Sequence, residues 1–431
     1  MEGREYNSTR WVVDMEKMLA DADRYAAEMA RWKKASIYRV PRWIKDMTIS
    51  EAYRPRVVSL GPFHHGEPDL LAMEEHKRRA VLHLVKRSGK PLATFVAAIE
   101  EVVDELQDAY DGLDDEWRGA HRGRFVEMMV TDGCFLLEMM RMLALKKVPD
   151  DHAPNDPVFS YYGIRYLWAA FRSDVIVIEN QLPLLALQRL EAVWRGTSLG
   201  FEEVNNWVLD FLSRPHVEGL DNLGLHPLDI FHKSFCGPRP DREGWREWEV
   251  RMPSAVELRE AGIHFRRSTT TSLRDIDYEN GVLSMPLIEF HDDTEKAFLN
   301  LMAFEWLHPG AGSDVLSYVS FVEKIAGSER DVALLRSNGV FENTMRSDRK
   351  VVELLNTLSK LAMMNVTSRL HDVKRKVNVH CTKPWNKWRA SFVQNYLSNP
   401  WVFISLVAAI ILLVATLLQT VYTVAPFYIR R

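Results

Sequence analysis

The stretch Trp401-Val-Phe-Ile-Ser-Leu-Val-Ala-Ala-Ile-Ile-Leu-Leu-Val-Ala-Thr-Leu-Leu418, close to the end of the chain, decides how the rest is organised. It is almost uniformly apolar, and no charged residue lies between Arg389 and Arg430. A helix rises about 1.5 Å per residue, so residues 401–421 would span about 30 Å, the thickness of a hydrocarbon core. A buried core helix is the alternative, but such helices are rarely apolar on all sides for so long.

This stretch predicts a transmembrane helix over residues 401–422, running from Trp401 through Leu413 to Val421. Residues 389–400 are then a juxtamembrane segment and residues 423–431 a short tail. A helix suits lipid because its backbone groups pair within the segment. Aromatic rings, which favour the membrane interface, stand at its two ends: Trp401, Tyr422, Phe427 and Tyr428. The lipid bilayer is therefore an expected partner.

The charges around the stretch predict its orientation. Only Arg430 and Arg431 follow it, whereas the basic residues that precede it are Lys374, Arg375, Lys376, Lys383, Lys387 and Arg389. The positive-inside bias places the bulk of the chain in the cytosol, on the plasma membrane or an endomembrane. The start of the chain, Met1 to Asn7, lacks the apolar core of a signal peptide, which is typical of a tail-anchored protein. The basic residues either contact anionic lipid or form a solvated helix end.

Two glycosylation sequons, Asn7-Ser-Thr9 and Asn365-Val-Thr367, allow this orientation to be tested. A sequon is used only where its part of the chain enters the lumen, so we predict that neither asparagine carries glycan in cells. Glycan at Asn365 would reverse the predicted topology and favour an extracellular recognition role.

Composition restricts the class of protein. The chain has 431 residues, enough for two ordinary domains or one large one, and its net charge of −4 gives no sign of a nucleic-acid partner. The three cysteines, Cys134, Cys236 and Cys381, are widely spaced and odd in number. This pattern is not a disulfide framework and suits a reducing compartment.

Residues 1–35 are predicted to form an N-terminal amphipathic helix, which Asn7 or Ser8 can cap. Its apolar stripe consists of Trp11, Met15, Met18, Ala22, Tyr25 and Met29. A stripe of this kind is expected to be core or one side of an intramolecular pair, with a dimer seam as the alternative.

Residues 36–388 are predicted to form one globular, mainly helical domain. Between Ile37 and Pro68 four prolines exclude a continuous helix, and the aromatic residues and valines among them indicate ordered packing. From Asp69 onward helical periodicity dominates. The segment Arg172–Leu185 is expected to be a helix that breaks and restarts at Pro183, with a strand as the alternative.

A small antiparallel β element is predicted near residues 263–290. Strand-like pieces cover residues 263–266, 273–279 and 282–290, and Asn280-Gly281 is a strong hairpin signal because a type I′ turn needs positive φ at both positions. Pro286 makes its strand an edge or a bulged one. A long helix over residues 347–377 then leads to the membrane. The fold class is therefore mainly α, with a small antiparallel β element and one C-terminal transmembrane helix.

Several motifs taken together resemble the signature of the plant family called domain of unknown function 247. They are Val40-Pro41, Ala52-Tyr53-x-Pro55, Val58-Ser-Leu-Gly61-Pro62-Phe-His64-His65-Gly66, Met73-Glu-x-x-Lys77, Asp132-Gly-Cys-Phe135, Glu179-Asn180-Gln181-Leu-Pro183, Ala255-x-x-Leu258-x-x-Ala-Gly262-Ile-x-Phe265, Asn280-Gly-Val-Leu283 and Ala303-Phe-Glu305. Leu60 and Phe63 depart mildly from the pattern, which commonly has isoleucine and tyrosine there. The resemblance covers the chain from about Ser36 to the C-terminal span.

The resemblance implies a single-span membrane protein with no established enzyme activity. Some grass relatives are linked to the pollen side of self-incompatibility, so recognition between cells or proteins is the expectation at the level of the family. The motif residues are interpreted as structural: Pro41, Tyr53, Pro55, Gly61, Pro62, His64, His65, Gly66, Glu179, Asn180, Gln181 and Pro183. Among them, Glu179, Asn180 and Gln181 are expected to tie the core together.

No phosphate-binding loop, zinc-protease helix or nucleophile elbow occurs in the sequence. His64-His65 is the most tempting catalytic pair, although histidines in a proline-rich turn commonly cap or pack. Cys134 lies on a strongly apolar helix and is expected to be inert. The carboxylates of Asp132, Glu138 and Glu179 are expected to pair with arginines or cap backbone groups.

Metal ligands are few. His216, His226, His232 and Cys236 offer nitrogen and sulfur, and residues 232 and 236 would share a helix face. Zinc needs converging ligands, and this spacing is not a recognised one, so no metal site and no cofactor are predicted. The expected function is recognition or signalling through an unknown protein partner, without enzyme activity. The alternatives are an unrecognised enzyme that uses the Gly61–Gly66 loop and a passive membrane scaffold.

Overall fold

A computed structural model describes residues 10–20, 28–29, 31–144, 151–198, 200–237, 252–362, 370–383 and 400–429. The chain divides into two compact units, Met1–Pro240 with Asp293–Gly312 and Asp241–Asp292 with Ser313–Arg431. The predicted caps Asn7 and Ser8, both sequons and residues 389–399 lie outside the described residues. The domain boundaries drawn from the sequence stay predictions.

The first unit is built from helices. They are α1 (Arg10–Ala20), α2 (Arg42–Met47), α3 (Glu74–Ser88), α4 (Leu92–Glu100), α5 (Val103–Asp108), α6 (Arg122–Ala144), α7 (Tyr161–Val175), α8 (Leu184–Arg195), α9 (Phe201–Phe211), α10 (Pro227–Cys236) and α12 (Thr294–Leu307), with 3₁₀ turns at Ser50–Tyr53, Pro68–Met73, Asp115–Trp117 and Gly119–His121.

The long helix α6 is the centre of this unit and packs against α3, α8 and α9. Its apolar residues are buried, including Phe125, Met129 and Cys134. Gly133 lies directly against Leu190 of α8, where any side chain would meet that leucine. The absence of a Cβ at Gly133 therefore lets α6 and α8 approach closely.

Local signals set where these helices begin and end. The Ser160 hydroxyl accepts the backbone N–H of Gly163 at the start of α7. Gly89 ends α3 with a φ of 66°, a left-handed conformation that glycine adopts without strain. Pro183 precedes α8, as expected, but α7 already ends at Val175, so residues 176–183 form an irregular link rather than a single break.

The second unit contains α11 (Ala255–Glu260), α13 (Asp314–Ile325), α14 (Glu329–Ser337), α15 (Asp348–Ala362), α16 (His371–Thr382) and α17 (Pro400–Ile429), with strands β1 (His264–Arg267), β2 (Asp277–Glu279), β3 (Val282–Met285), β4 (Ile288–Phe290) and β5 (Phe341–Asn343). The helix predicted over residues 347–377 corresponds to α15 and α16, with residues 363–369 outside the described part. Ser254 and Glu257 form a capping box at the start of α11.

The strands form two small sheets. The hairpin at Asn280-Gly281 is confirmed, since both residues have positive φ, and it pairs β2 with β3 antiparallel, Tyr278 opposite Leu283. The antiparallel prediction does not extend to the other pairs: β1 pairs with β3 in parallel, and β4 pairs in parallel with β5, a strand the sequence did not indicate. Strand direction depends on how distant segments return, which no local pattern encodes.

The expectation for the N-terminal stripe is wrong where the structure describes it. Trp11, Met15 and Met18 are 61%, 49% and 69% exposed, so these side chains are not part of the core. An amphipathic period shows that a helix has an apolar face, but not what covers that face.

The C-terminal helix α17 is a candidate membrane span. Residues Trp401–Val421 have a mean hydropathy of 2.8, and none of this segment is buried within the protein. The helix runs on to Ile429, beyond the predicted end of the span at residue 422. The protein does not bury this long apolar helix, and lipid would cover its side chains in a membrane.

Candidate functional site

The irregular segment that contains the Gly61–Gly66 motif is held by buried polar side chains of the first unit. The carboxylate of Asp174, at the end of α7, accepts three successive backbone N–H groups, those of Arg56 (2.9 Å), Val57 (2.7 Å) and Val58 (3.1 Å). Lys296 of α12 donates to the same carboxylate at 3.3 Å. A segment without regular hydrogen bonding thus has its backbone donors satisfied by a side chain.

Asn180 continues this role along the segment. Its Oδ1 accepts the backbone N–H of Leu60 at 2.6 Å, and its Nδ2 donates to the carbonyls of Val58 (3.1 Å) and Asp174 (3.0 Å). The side chain is fully buried. Asn180 therefore joins the link between α7 and α8 to the motif segment as a strand partner would.

The side chain of Gln181 bonds the end of α7 and the link that follows it, and it also joins this link to α10. Its Nε2 donates to the carbonyls of Val175 and Val177, both at 2.6 Å, and its Oε1 accepts the N–H of Leu228 at 2.9 Å. The bond to Val175 satisfies a carbonyl at the end of α7, where the helix no longer supplies a donor.

Glu179 is the charged member of the predicted trio. It accepts the N–H of Val40 at 2.6 Å and pairs with the Lys45 ammonium at 2.8 Å, while His64 Nε2 lies 3.4 Å away. Burial alone would raise the pKa of Glu179, but hydrogen bonds from His64, Lys45 and Val40 outweigh it and lower the pKa below its ordinary value of 4.5. The carboxylate is thus held ionised.

Asn180→Ala is expected to lower the free energy of unfolding by about 2–3 kcal/mol, because it leaves the N–H of Leu60 and the carbonyl of Val58 buried without the partner that Asn180 supplies. Thermal unfolding of the full-length protein in detergent measures this loss. Asn356→Ala, at an exposed position of α15, is the matched control. Unchanged stability in Asn180→Ala combined with loss of partner binding would contradict the structural interpretation of the motif.

The other motif residues also lie in or around this segment. Tyr53, which is fully buried, shares a 3.0 Å hydrogen bond with Thr48; Pro55 and Pro62 are buried; Pro41 and Pro183 precede α2 and α8. Gly61 and Gly66 have φ values of 74° and 82°. The fold therefore brings the predicted structural residues together in one region. Among them, His65 lines a cavity.

A buried ion pair lies next to Gly61. Lys77 of α3 and Asp132 of α6 are essentially inaccessible, and Lys77 Nζ is 2.7 Å from Asp132 and 2.6 Å from Glu74. The other oxygen of Asp132 accepts the N–H of Gly61 at 2.9 Å. Burial alone would lower the pKa of Lys77, but the two carboxylates raise it above its ordinary value of 10.5, so the ammonium stays charged.

This ion pair borders a cavity of about 240 Å³. His65 of the motif, Trp117, and Arg78 and Arg124 line it together with Glu74, Glu127 and Asp132. The rings of His65 and Trp117 meet edge to face at 5.3 Å, and the Arg124 guanidinium lies 5.4 Å from the Trp117 ring centre. A short 3₁₀ turn carries Trp117, and Gln107 Nε2 holds that turn by donating to the Trp117 carbonyl at 2.7 Å.

Several donors of this cavity lack a partner among the described residues. Trp117 is 3% exposed, and its Nε1–H has no acceptor; His65 Nδ1 is likewise buried and unpaired. An indole N–H can only donate. Arg78 and Arg124, both exposed, form no ion pair within the described part of the chain. Trp117, Arg78 and Arg124 could not be found from the sequence, because no local pattern connects residues on three separate elements.

The fold separates the two histidines of the candidate pair His64-His65. His64 is 5% exposed and lies between Glu67, 2.7 Å from Nδ1, and Glu179. Glu67 therefore bonds one ring nitrogen of His64 and Glu179 lies near the other, while His65 lines the cavity. Cys134 is fully buried, and burial raises the pKa of its thiol well above the ordinary value, as expected of an inert cysteine.

The remaining candidates are also placed. Glu138 is buried and pairs with Arg87 and with His152 (2.8 Å), which agrees with the expected pairing. His216 is exposed and bonded to Asp210. The ring of His226 caps α10 by accepting the N–H of Asp229. His232 and Cys236 do share a face of α10, and Glu305 of α12 joins them.

The fold and the site together define a mainly helical protein with small sheets, one candidate membrane-spanning helix in the described part of the chain, and an irregular motif segment ordered by buried polar side chains. Comparison with known proteins identifies the family of this chain. Residues 37–415 match the family described as plant protein of unknown function, domain of unknown function 247, and the chain belongs to that family.

Two relatives come from Arabidopsis thaliana. One, a UPF0481 protein, is 28% identical over 93% of this chain and 88% of its own length. The other, a putative UPF0481 protein, is 22% identical over 100% of this chain and 97% of its own length. No solved structure matches the chain.

Proposed function

We propose that this protein is a membrane-tethered recognition protein that binds an acidic side chain of a protein partner in the cavity between His65 and Trp117. The observation that carries this proposal is the buried Nε1–H of Trp117, which has no acceptor among the residues that the structure describes. A buried donor without a partner costs about 1–3 kcal/mol, so a ligand that supplies an acceptor recovers that free energy on binding. The protein binds rather than catalyses.

The size of the cavity supports a side chain rather than a cofactor. Its volume of about 240 Å³ lies below the range of pockets that hold drug-sized ligands, about 300–1,000 Å³. A single side chain presented by a folded or extended partner suits this volume. The surrounding surface of the first unit would then supply the rest of the interface.

The hydrogen-bonding groups support an acidic group. Glu74 and Asp132 both pair with Lys77, which leaves Glu127 as the carboxylate of the cavity that has no ion-pair partner among the described residues. The donor groups that line the same cavity are those of Trp117, Arg78 and Arg124, so donors outnumber this carboxylate. Guanidinium groups bind carboxylates with two parallel hydrogen bonds, and such charge-assisted bonds are about twice as strong as neutral ones.

The proposal includes a tether to a membrane. The apolar helix α17 and the basic residues before it support a span with the bulk of the chain in the cytosol, so the proposed partner is cytosolic or carries a cytosolic segment.

A peptide array tests the proposal. Full-length protein in detergent is probed with acetylated, amidated hexapeptides that carry Asp or Glu at the centre, and with the same peptides carrying Asn or Gln. We expect a subset of acidic peptides to bind, and Arg78→Ala or Arg124→Ala to weaken this binding about tenfold or more, the loss of one charge-assisted hydrogen bond. Trp117→Phe, which keeps the ring and removes the donor, is expected to weaken it less.

Arg330→Ala, at an exposed helical position of α14, is the matched control and should bind as the native protein does. Equal binding of acidic and amide peptides, or equal loss in Arg330→Ala and Arg78→Ala, would refute the proposal.

A further inference from the structure

A second cluster in the first unit lies away from the cavity. His232 and Cys236, one turn apart on α10, face Glu305 on α12, and all three are buried, with exposures of 4%, 2% and 7%. Their ligand atoms lie within 4.8 Å of one another. The cavity proposed for recognition is lined by other residues and not by any of these three.

The arrangement is unusual because two groups approach the same nitrogen. Glu305 Oε1 lies 2.7 Å and Cys236 Sγ 3.6 Å from Nε2 of His232. In a catalytic triad the carboxylate and the nucleophile would contact opposite ring nitrogens. Here sulfur, nitrogen and oxygen lie within 4.8 Å of one another, close enough for a single metal ion to bind all three.

We propose that His232, Cys236 and Glu305 bind a zinc ion. Tetrahedral zinc with Zn–S near 2.3 Å and Zn–N near 2.0–2.1 Å places sulfur and nitrogen about 3.6 Å apart. The observed Sγ···Nε2 distance is 3.6 Å. The carboxylate oxygen would have to move about 0.6 Å outward to reach the corresponding N···O separation, a shift that rotation of a glutamate provides.

The ligand types select the metal. A thiolate with an imidazole favours zinc over magnesium or calcium, which prefer oxygen ligands. Three protein ligands leave a fourth coordination position, as in zinc sites that bind water. The other cluster of ligand types among the described residues, His83, Asp151 and His152, is less suited because the Arg87 guanidinium already lies 2.8 Å from Asp151.

Metal analysis of the full-length protein tests this site. After gel filtration in detergent without chelator, we expect about one zinc per chain, and less than about a tenth of that in Cys236→Ser or His232→Ala, since each removes a direct ligand. Cys134→Ser, at an equally buried thiol of α6, is the control and should keep its zinc.

Cobalt supplies a readout that does not depend on stability. Co²⁺ added to metal-depleted native protein should give a thiolate-to-cobalt absorption band that Cys236→Ser lacks, and the isosteric Glu305→Gln should weaken Co²⁺ binding while helicity by circular dichroism is unchanged. Native protein with no more zinc than Cys236→Ser would overturn the proposal. So would zinc that persists in Cys236→Ser and is lost in His83→Ala, which would place the metal at the other cluster.

Discussion

Asp132→Asn is expected to lower the free energy of unfolding by about 3–5 kcal/mol, the cost of leaving one charge of a buried pair uncompensated. Asp132 is 1% exposed and bonds both the Lys77 ammonium and the Gly61 N–H. The amide of asparagine cannot accept from both as a carboxylate does, and Lys77 would keep only Glu74 as a charged partner. Thermal unfolding of the full-length protein in detergent measures the effect.

The control for Asp132→Asn is Asp104→Asn, which breaks an exposed ion pair with Arg122 and should cost about 0–1 kcal/mol. The double variant Lys77→Met with Asp132→Leu is expected to recover much of the loss, because apolar residues of similar volume often replace a buried pair at little cost. Equal midpoints for Asp132→Asn and Asp104→Asn would show that the buried pair does not stabilise the fold.

Gly61→Ala is expected to be nearly as damaging, with a loss of about 3–5 kcal/mol from backbone strain and steric overlap together. A Cβ at this position would lie 2.6 Å from the carbonyl oxygen of Gln181 and 2.8 Å from the Tyr110 hydroxyl, and the φ of 74° disfavours any other residue. The Tyr110 hydroxyl donates to the same carbonyl at 2.9 Å, so the substitution also disturbs a buried hydrogen bond.

Gly66→Ala separates the two causes. Gly66 has a similar φ of 82°, but nothing lies within 4 Å of a Cβ built there, so this variant carries the strain without the overlap. We expect a loss of about 1–2 kcal/mol, compared by thermal unfolding with Gly61→Ala. Equal losses in the two variants would mean that the contact between Gly61 and Gln181 does not limit the packing.

The two substitutions with the largest expected effects, Asp132→Asn and Gly61→Ala, lie in motifs that the family resemblance is based on. Gly61, Asp132 and Asn180 support one another through the backbone of residues 58–61, and Asp132 also lines the cavity. The structural and the proposed recognition roles of the motif are therefore coupled. Variants at Arg78 and Arg124, which are exposed and outside this network, are the ones that test recognition without disturbing the fold.

Local sequence was enough to determine several elements of this protein. The uncharged tract that begins at Trp401 predicts a long apolar helix, and Asn280-Gly281 predicts the hairpin. Each of these depends on residues within a few positions of one another, whose preferences act before any tertiary contact forms. The resemblance of the motifs also identified the family correctly.

Only the tertiary structure decided which side chains meet. Lys77 bonds Asp132 across 55 positions, Leu60 bonds Asn180 across 120, and His232 meets Glu305 across 73. The parallel direction of β1 and β4, the exposure of Trp11 and the cavity around Trp117 are of the same kind. Periodicity shows that one face of a helix is apolar, and a motif marks residues with a particular role. Neither shows which residues distant in the chain become partners, because packing determines those contacts. Burial makes an unpaired polar group costly, wherever in the sequence its partner lies.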